Sequence, residues 1–281
     1  MIRNRTLAVV VSYNGLDQLS KTVHALLKRV CHVHIVDNGS GIESLNILST
    51  IEQESGVSVV RLGSNRGIGY ALNQGVALAR KMGCDWLLTM DQDSVIDPGM
   101  LRAYDAVIAE RADCVCLTPR RDERASQTAP RRVTYAITSG NLVRVGLFDE
   151  IGLYDEKLFI DCVDFDFSLR VQRAGHDIVL VPGAVMQHQL GEAIALPAWV
   201  RPFYARHSPA RRYYMYRNYL YLAERHLWRF PIFIVKLGIL QVLLLPFIAV
   251  FDREPLRSYR AVIRGIVDYF ARRSGPCREG A

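Results

Sequence analysis

The apolar positions of the first 190 residues switch between two periods. Thr6–Ser12 (TLAVVVS) is an unbroken, largely β-branched run, the pattern of a parallel strand buried on both faces. Val33–Val36, Val57–Arg61 and Trp86–Met90 predict three more strands. Between them, apolar residues at spacings of three and four predict helices over Leu16–Lys28, Ser44–Glu54 and Tyr70–Lys81. Strand, loop and helix repeated in this order imply an α/β fold with a mostly parallel sheet.

Near Pro197 the pattern changes. Arg211–His226 (RRYYMYRNYLYLAERH) reads as a basic, tyrosine-rich helix, and Pro231–Phe251 as an apolar run interrupted by Lys236, Gly238, Gln241 and Pro246. Leu256, Tyr259, Ile263, Ile266, Val267 and Phe270 then recur at helical spacing among Arg257, Arg260, Arg264, Arg272 and Arg273, as in a basic amphipathic helix. We therefore divide the chain into residues 1–205 and a helical extension, 206–281.

Charge follows the same boundary. Residues 1–196 hold 20 Lys and Arg against 23 Asp and Glu, whereas residues 197–281 hold 15 against 5. The rear of the chain thus calls for an anionic partner, a membrane surface or a nucleic acid. An apolar content of 50% excludes a disordered chain, and six cysteines in 281 residues exclude a disulfide scaffold. Cys114 and Cys116 lack a second pair at zinc-ligand spacing, so the cysteines read as thiols of a reducing compartment. The start, MIRNRTLAVVVSYN, has neither a long apolar core nor a small-residue cleavage site, so no signal peptide is expected.

Polar residues gather where the predicted strands end: Ser12-Tyr13-Asn14, Asp37-Asn38, Asn65-Arg66-Gly67 and Asp91-Gln92-Asp93. Ligands of open α/β sheets bind beyond the carboxyl ends of the strands, so these four clusters point to one cleft. Asp91 and Asp93 leave their strand on one side, an arrangement that shares a hard divalent cation with phosphate oxygens. Gly67-x-Gly69 resembles part of a dinucleotide fingerprint, but Leu72 stands where a third small residue is needed. In LFIDCVDFDFSLR, Asp161, Asp164 and Asp166 lie in apolar surroundings that penalise an unpaired carboxylate. Asp161 and Asp164 face one way if the stretch is helical, and desolvation makes either a better general base. Ser139-Gly140-Asn141 reads as a ligand-contacting loop, His188 follows a Pro182-Gly183 break, and Arg211, Arg212 and Arg217 form a cluster suited to phosphate or to a helix surface.

In order along the chain these residues resemble the family-2 glycosyltransferases of GT-A fold. The matching strings are Val11-Ser12-Tyr13-Asn14, Val36-Asp37-Asn38-Gly39-Ser40, Asn65-Arg66-Gly67-Ile68-Gly69 through Asn73-Gln74-Gly75, Asp91-Gln92-Asp93-Ser94, Ser139-Gly140-Asn141, Phe159–Asp166 and His188-x-x-Gly191, over roughly residues 6–225. Within the family, MDQDS, FID-x-VD and the later Arg212-Tyr213-Tyr214 with Arg217-Asn218 are most similar to the rhamnosyltransferases. Val163 stands where the broad family has Glu.

The resemblance implies a dTDP-L-rhamnose donor, a lipid-linked glycan or glycolipid acceptor, and a Mg²⁺ or Mn²⁺ cofactor. It implies that Ser12, Tyr13, Asn14, Asp37, Asn38, Asn65, Arg66, Gly67, Asn73, Asp91 and Gln92 line the nucleotide-sugar pocket, with Arg212 and Arg217 on the diphosphate. Asp93 and His188 are the implied metal contacts. Asp161, Ser139, Gly140 and Asn141 shape the sugar or acceptor pocket, and Asp164 is the implied base of an inverting displacement. A UDP-linked hexose or furanose fits the same motifs. A non-catalytic membrane protein is the reading of another class, and nucleic acid is not expected because the acids would repel it.

Fifteen strongly apolar residues in Pro231–Phe251, at about −0.3 to −0.6 kcal/mol each, favour insertion, but Lys236 alone returns about 2.5–3.5 kcal/mol. Arginines flank both ends. We expect attachment to the cytoplasmic face of the plasma membrane rather than a span, with room for a homo-oligomer.

Overall fold

The computed structural model describes residues 2–120, 129–188 and 206–277, without the side chains of Gln187 and His188. Strand β1 (Thr6–Ser12) is buried along almost its whole length, as its uninterrupted apolar run requires. It pairs in parallel with β2 (His32–Asp37) on one side and β4 (Trp86–Asp91) on the other, and β3 (Val57–Arg61) extends the sheet beyond β2. The register sets Ser12 beside Asp37 and Val11 beside Asp91, so three polar strand ends lie side by side.

Helices α1 (Asp17–Leu27), α2 (Ile42–Ile51) and α3 (Ile68–Lys81) make the crossovers. Helix α3 lies very close to β1, because a Cβ on Gly75 would stand 2.5 Å from that of Val9.

The second half of the sheet is mixed. β5 (Ser94–Ile96), β6 (Cys116–Arg120), β7 (Arg131–Val133), β8 (Asn141–Arg144) and β9 (Ile178–His188) complete the order β3-β2-β1-β4-β8-β6-β9-β5, with β7 on β9. β8 runs antiparallel to β4 and β6, while β6 and β9 are parallel. Pro182-Gly183 is not the break expected from its composition. β9 passes through it, and the irregularity is absorbed as a register shift between Pro119 and Arg120 of β6. Helices α4 (Met100–Glu110), α5 (Leu147–Ile151) and α6 (Val163–Arg173) accompany these strands in sequence.

The chain divides into two compact units, residues 1–154 with 167–189, and residues 155–166 with 190–281. The division falls inside α6, so Asp155–Asp166 is grouped with the C-terminal helices. Those are α7 (Pro209–His226), α8 (Pro231–Phe251) and α9 (Pro255–Phe270). Ser208 caps α7 by accepting a hydrogen bond from the Arg211 amide, and Pro209 occupies the first turn.

The buried face of α7 is polar. Arg212 makes an ion pair of 3.1 Å with Asp252, both side chains fully enclosed, and Ser258 donates to the same carboxylate at 2.9 Å. Tyr213 donates to Asp268 at 2.8 Å, and burial with that contact pushes its hydroxyl up to about 12.

The close approach at Gly75 gives a direct check. Gly75→Ala should destabilise the protein by about 1–3 kcal/mol through overpacking against Val9, read as a lower urea midpoint at unchanged slope.

Candidate functional site

In the first unit the cleft is built from loops that hold one another. Asn38 donates its amide to the Ser12 carbonyl at 2.7 Å, and its side-chain oxygen accepts from the Arg66 amide at 2.8 Å. Asn65 accepts from the Gly67 amide at 2.9 Å, shaping the turn into α3, and Arg66 lies 4.5 Å from the Tyr70 ring. Asn14, at φ 52, donates its amide to Ser40 at 2.8 Å and accepts from the Gly41 amide at 2.9 Å. Gly39 has φ 86, and a Cβ there would meet the Ser64 backbone at 2.6 Å. No other residue lets the two loops come this close.

Asp37 stands at the centre of this cluster, 1% exposed. Its Oδ2 accepts from the Ser40 amide at 3.2 Å, while Oδ1 is buried with no hydrogen-bond partner. A carboxylate oxygen withdrawn from water and left without a donor is costly. Tyr13, next after the Ser12 that pairs with Asp37, is half-exposed.

The turn after β4 has a different interior. The Gln92 amide is fully engaged: Oε1 accepts from Ser12 Oγ at 3.2 Å and the Tyr13 amide at 2.8 Å, and Nε2 donates to the Tyr13 carbonyl at 3.1 Å. The expectation that Gln92 contacts the ligand is therefore corrected to that of a staple between two loops. Asn73 is corrected likewise, since it is buried and exchanges hydrogen bonds of 3.0 Å with both backbone groups of Tyr154. Ser139 and Asn141 also face inward. Ser139 Oγ accepts from the Asp91 amide at 3.2 Å, and Asn141 Oδ1 accepts from the Cys116 thiol at 3.3 Å. Gly140 between them, at φ 78, leads into β8.

Asp91 and Asp93 are half-buried at the mouth of β4, with Ser94 Oγ donating to Asp93 at 3.4 Å. The β5–β9 register pairs Ser94 with His188, which brings the His188 backbone to the residue after Asp93, although its side chain lies outside the described residues. Among the described residues no three acidic, imidazole or thiol side chains form a metal cage. Mg²⁺ needs none: one or two carboxylates with substrate phosphates and water are its ordinary donors, and the Asp91–Asp93 turn fits that set.

In the second unit Asp161 does not share a helical face with Asp164. It precedes α6 at φ 61 and pairs with Arg211 at 3.1 Å through Oδ1, while Oδ2 is buried without a partner. Burial raises its pKa and the Arg211 guanidinium opposes that rise. Asp166 is buried between Arg225 at 2.7 Å and His226 at 3.0 Å. Asp164 occupies the first turn of α6, half-buried, its Oδ1 accepting from the Phe165 amide at 2.9 Å.

Phe159, Asp161 and Cys162 all adopt left-handed φ values, 65, 61 and 63. Such non-glycine conformations cost on the order of 1–3 kcal/mol each and persist only where the surroundings impose them.

Arg212 and Arg217 are not free to grip a phosphate. Both are enclosed among helices, Arg212 on Asp252 and Arg217 on the carbonyls of Lys157, Leu158 and Gly275. A helical arginine beside tyrosines reads alike from sequence whether it faces solvent or the core, and only packing separates the two. Asn218, Arg225, His226 and Asp252, which complete these networks, carry no signal of their own beyond the adjacency of Asn218 to Arg217.

Comparison with known proteins agrees with the motif order. The pattern of glycosyl transferase family 2 matches residues 7–169. The chain is 29% identical over 243 residues to dTDP-rhamnosyl transferase RfbF of Shigella flexneri, covering 78% of this chain and 80% of that protein. Among solved structures, GalNAc-T7 with UDP, GalNAc and Mn²⁺ superposes with a TM-score of 0.60 at 20% identity, over 78% of this chain and 48% of that one. S. aureus TarS 1-349 in complex with UDP-GlcNAc gives 0.55 at 18% identity, over 78% and 66%. The chain thus spans about half of the first structure and just under two thirds of the second, and both share its GT-A fold.

If Asp37 serves a ligand rather than the fold, removing its charge should not weaken the empty protein. Asp37→Asn is expected to raise stability by about 1 kcal/mol, read as a higher Tm, because a neutral amide is cheaper to desolvate than a carboxylate. A large fall in Tm would assign Asp37 to the fold instead.

Proposed function

Because the chain belongs to glycosyl transferase family 2, we propose that it moves L-rhamnose from dTDP-L-rhamnose to a hydroxyl of a lipid-linked glycan or glycolipid. The observation that carries the donor site is the unpaired, buried Oδ1 of Asp37, beside loops that Asn14, Asn38 and Asn65 fix in place. This oxygen accepts a hydrogen bond from the nucleotide, while Tyr13 and Arg66 line the same side. The identity to a rhamnosyl transferase supports the sugar.

Asp164 is the base. It takes the proton of the acceptor hydroxyl as that oxygen forms its bond to the anomeric carbon. The bond from that carbon to the diphosphate breaks, the electron pair leaves with dTDP, and the configuration inverts. Asp93, with Asp91 and His188 beside it in the chain's register, would hold a Mg²⁺ or Mn²⁺ ion, which supplies charge stabilisation to the departing diphosphate when bound.

Calorimetry with dTDP and UDP, followed by transfer assays, tests this reading. dTDP should bind in preference to UDP, and Asp37→Ala should weaken it by about 1.5–3 kcal/mol, the worth of a hydrogen bond to a charged group. Asp164→Asn should keep donor affinity and lose transfer by about 10²–10⁴-fold. A preference for UDP would replace rhamnose by a UDP-linked sugar, and full activity of Asp164→Asn would remove it as the base.

We also propose that α8 and α9 attach the protein to the cytoplasmic membrane surface, where a lipid-linked acceptor lies. Helix α9 turns Ser258, Ala261, Val262, Gly265 and Asp268 toward the protein and leaves Leu256 (74% exposed), Ile263, Val267 and Phe270 (74%) outward with Arg260 among them. Helix α8 buries only the stripe Ile234, Gln241 and Ile248, and the nearby Trp228 is 94% exposed. Apolar side chains within a basic surface fit a monolayer with anionic headgroups. The protein should co-sediment with vesicles containing phosphatidylglycerol and much less with phosphatidylcholine alone. Leu256→Ser with Phe270→Ser should reduce that binding at least about tenfold, from the usual worth of burying such side chains. Unchanged sedimentation with self-association of the free protein would make the face a subunit interface.

A further inference from the structure

Segment Asp155–Asp166 takes side-chain hydrogen bonds and ion pairs from α7, and the Gly275 amide donates to its Lys157 carbonyl at 2.7 Å. From α7, Asn218 donates to three successive carbonyl regions of the loop: Leu158 at 2.6 Å, Ile160 at 2.7 Å and Asp161 at 3.2 Å. Arg217 donates to the carbonyls of Lys157 and Leu158, both at 3.3 Å, and to Gly275 at 2.7 Å, and its own Nε donates to Asn218 Oδ1 at 3.0 Å. One turn or two further along, Arg225 bridges Asp155 at 2.9 Å and Asp166 at 2.7 Å, the two ends of the segment. Arg217 and Asn218 are entirely buried.

These contacts coincide with the strained residues. Phe159, Asp161 and Cys162, the three left-handed positions, lie within or directly after the stretch whose carbonyls Asn218 and Arg217 hold. Positive φ at these non-glycine residues is costly and persists only where surrounding contacts hold the chain, and these carbonyl contacts are such a hold. Asp164 follows two residues after Cys162, at the start of α6, so the position of its carboxylate is set by where this loop ends.

We propose that Arg217 and Asn218 are positioning residues, which fix the carboxylate of Asp164 for proton transfer by clamping the strained loop before it. The proposal rests on the reading of Asp164 as the base. A displacement of about 1 Å at a reacting group costs on the order of 10²-fold in rate, so the clamp acts on kcat and leaves the donor site untouched.

The test is a double-mutant cycle in the full chain, reading kcat, donor KM and dTDP affinity for Asn218→Ala, Asp164→Asn and the pair. Asn218→Ala should lower kcat about 10–100-fold with donor KM and dTDP affinity unchanged. In the Asp164→Asn background the same substitution should lower the residual rate less than threefold, because the group it positions is already gone. Asn218→Ser, which keeps one donor, should fall between wild type and Asn218→Ala, and Arg217→Lys should show the same separation of kcat from KM. The serine and lysine variants carry the test if the alanine variant does not fold. Equal losses in both backgrounds, a loss of dTDP affinity together with kcat, or an unchanged kcat would each overturn the proposal. Full activity of Asp164→Asn would instead remove the base and leave the loss caused by Asn218→Ala to be read as structural.

Discussion

A parallel strand with neighbours on both sides and helices against its faces has no room for polar side chains along its length. That constraint governs the first unit. β1 carries apolar residues from Leu7 to Val11, and its first side chain able to meet a ligand is Ser12 at its end. β2 and β4 likewise end at Asp37 and Asp91, although each buries one polar side chain, His34 and Thr89, that is hydrogen-bonded within the protein. Parallel pairing of β1 with both then aligns these ends, so polar and charged groups collect on one rim.

The rim is shaped more by amides than by charges. Asn14, Asn38, Asn65 and Gln92 spend their hydrogen bonds on backbone groups of neighbouring loops. Each satisfies donors or acceptors that irregular backbone leaves open, and together they tie the loops to one another. The exception is Asp37, whose second oxygen the loops leave without a partner. Within this rim of a family 2 glycosyl transferase, the loops satisfy one another's backbone groups and leave this one carboxylate oxygen over.

The second unit buries charged groups beside apolar ones such as Tyr216, Ile248 and Val262. Its interior contains guanidinium groups, carboxylates and an amide, while α8 and α9 present apolar side chains outward. Burying Arg212 with Asp252 adds little net stability over an apolar pair, but each group is specific about its partner, and breaking either side leaves an uncompensated charge. Such an interior fixes Asp155–Asp166 through directed hydrogen bonds, which apolar packing alone does not supply.

The sequence by itself determined the α/β class, the first four strands, the polar strand ends and the long C-terminal helices. Each is written in a local period, two or 3.6 residues, or in a run of one character. The short strands β5, β7 and β8 were not legible, because three or four residues carry no period and owe their state to the strand beside them. The same limit applied to side chains. Gln92, Asn73, Arg212 and Arg217 have the chemistry of ligand contacts, and only the tertiary structure showed that their polar atoms are already committed to the protein. Conversely, nothing local marks Asp37 and Asp161 as carboxylates that each keep one oxygen unpaired. A residue's chemistry is fixed by its type, but whether its hydrogen bonds are spent or available depends on which backbone the fold brings within about 3 Å of it.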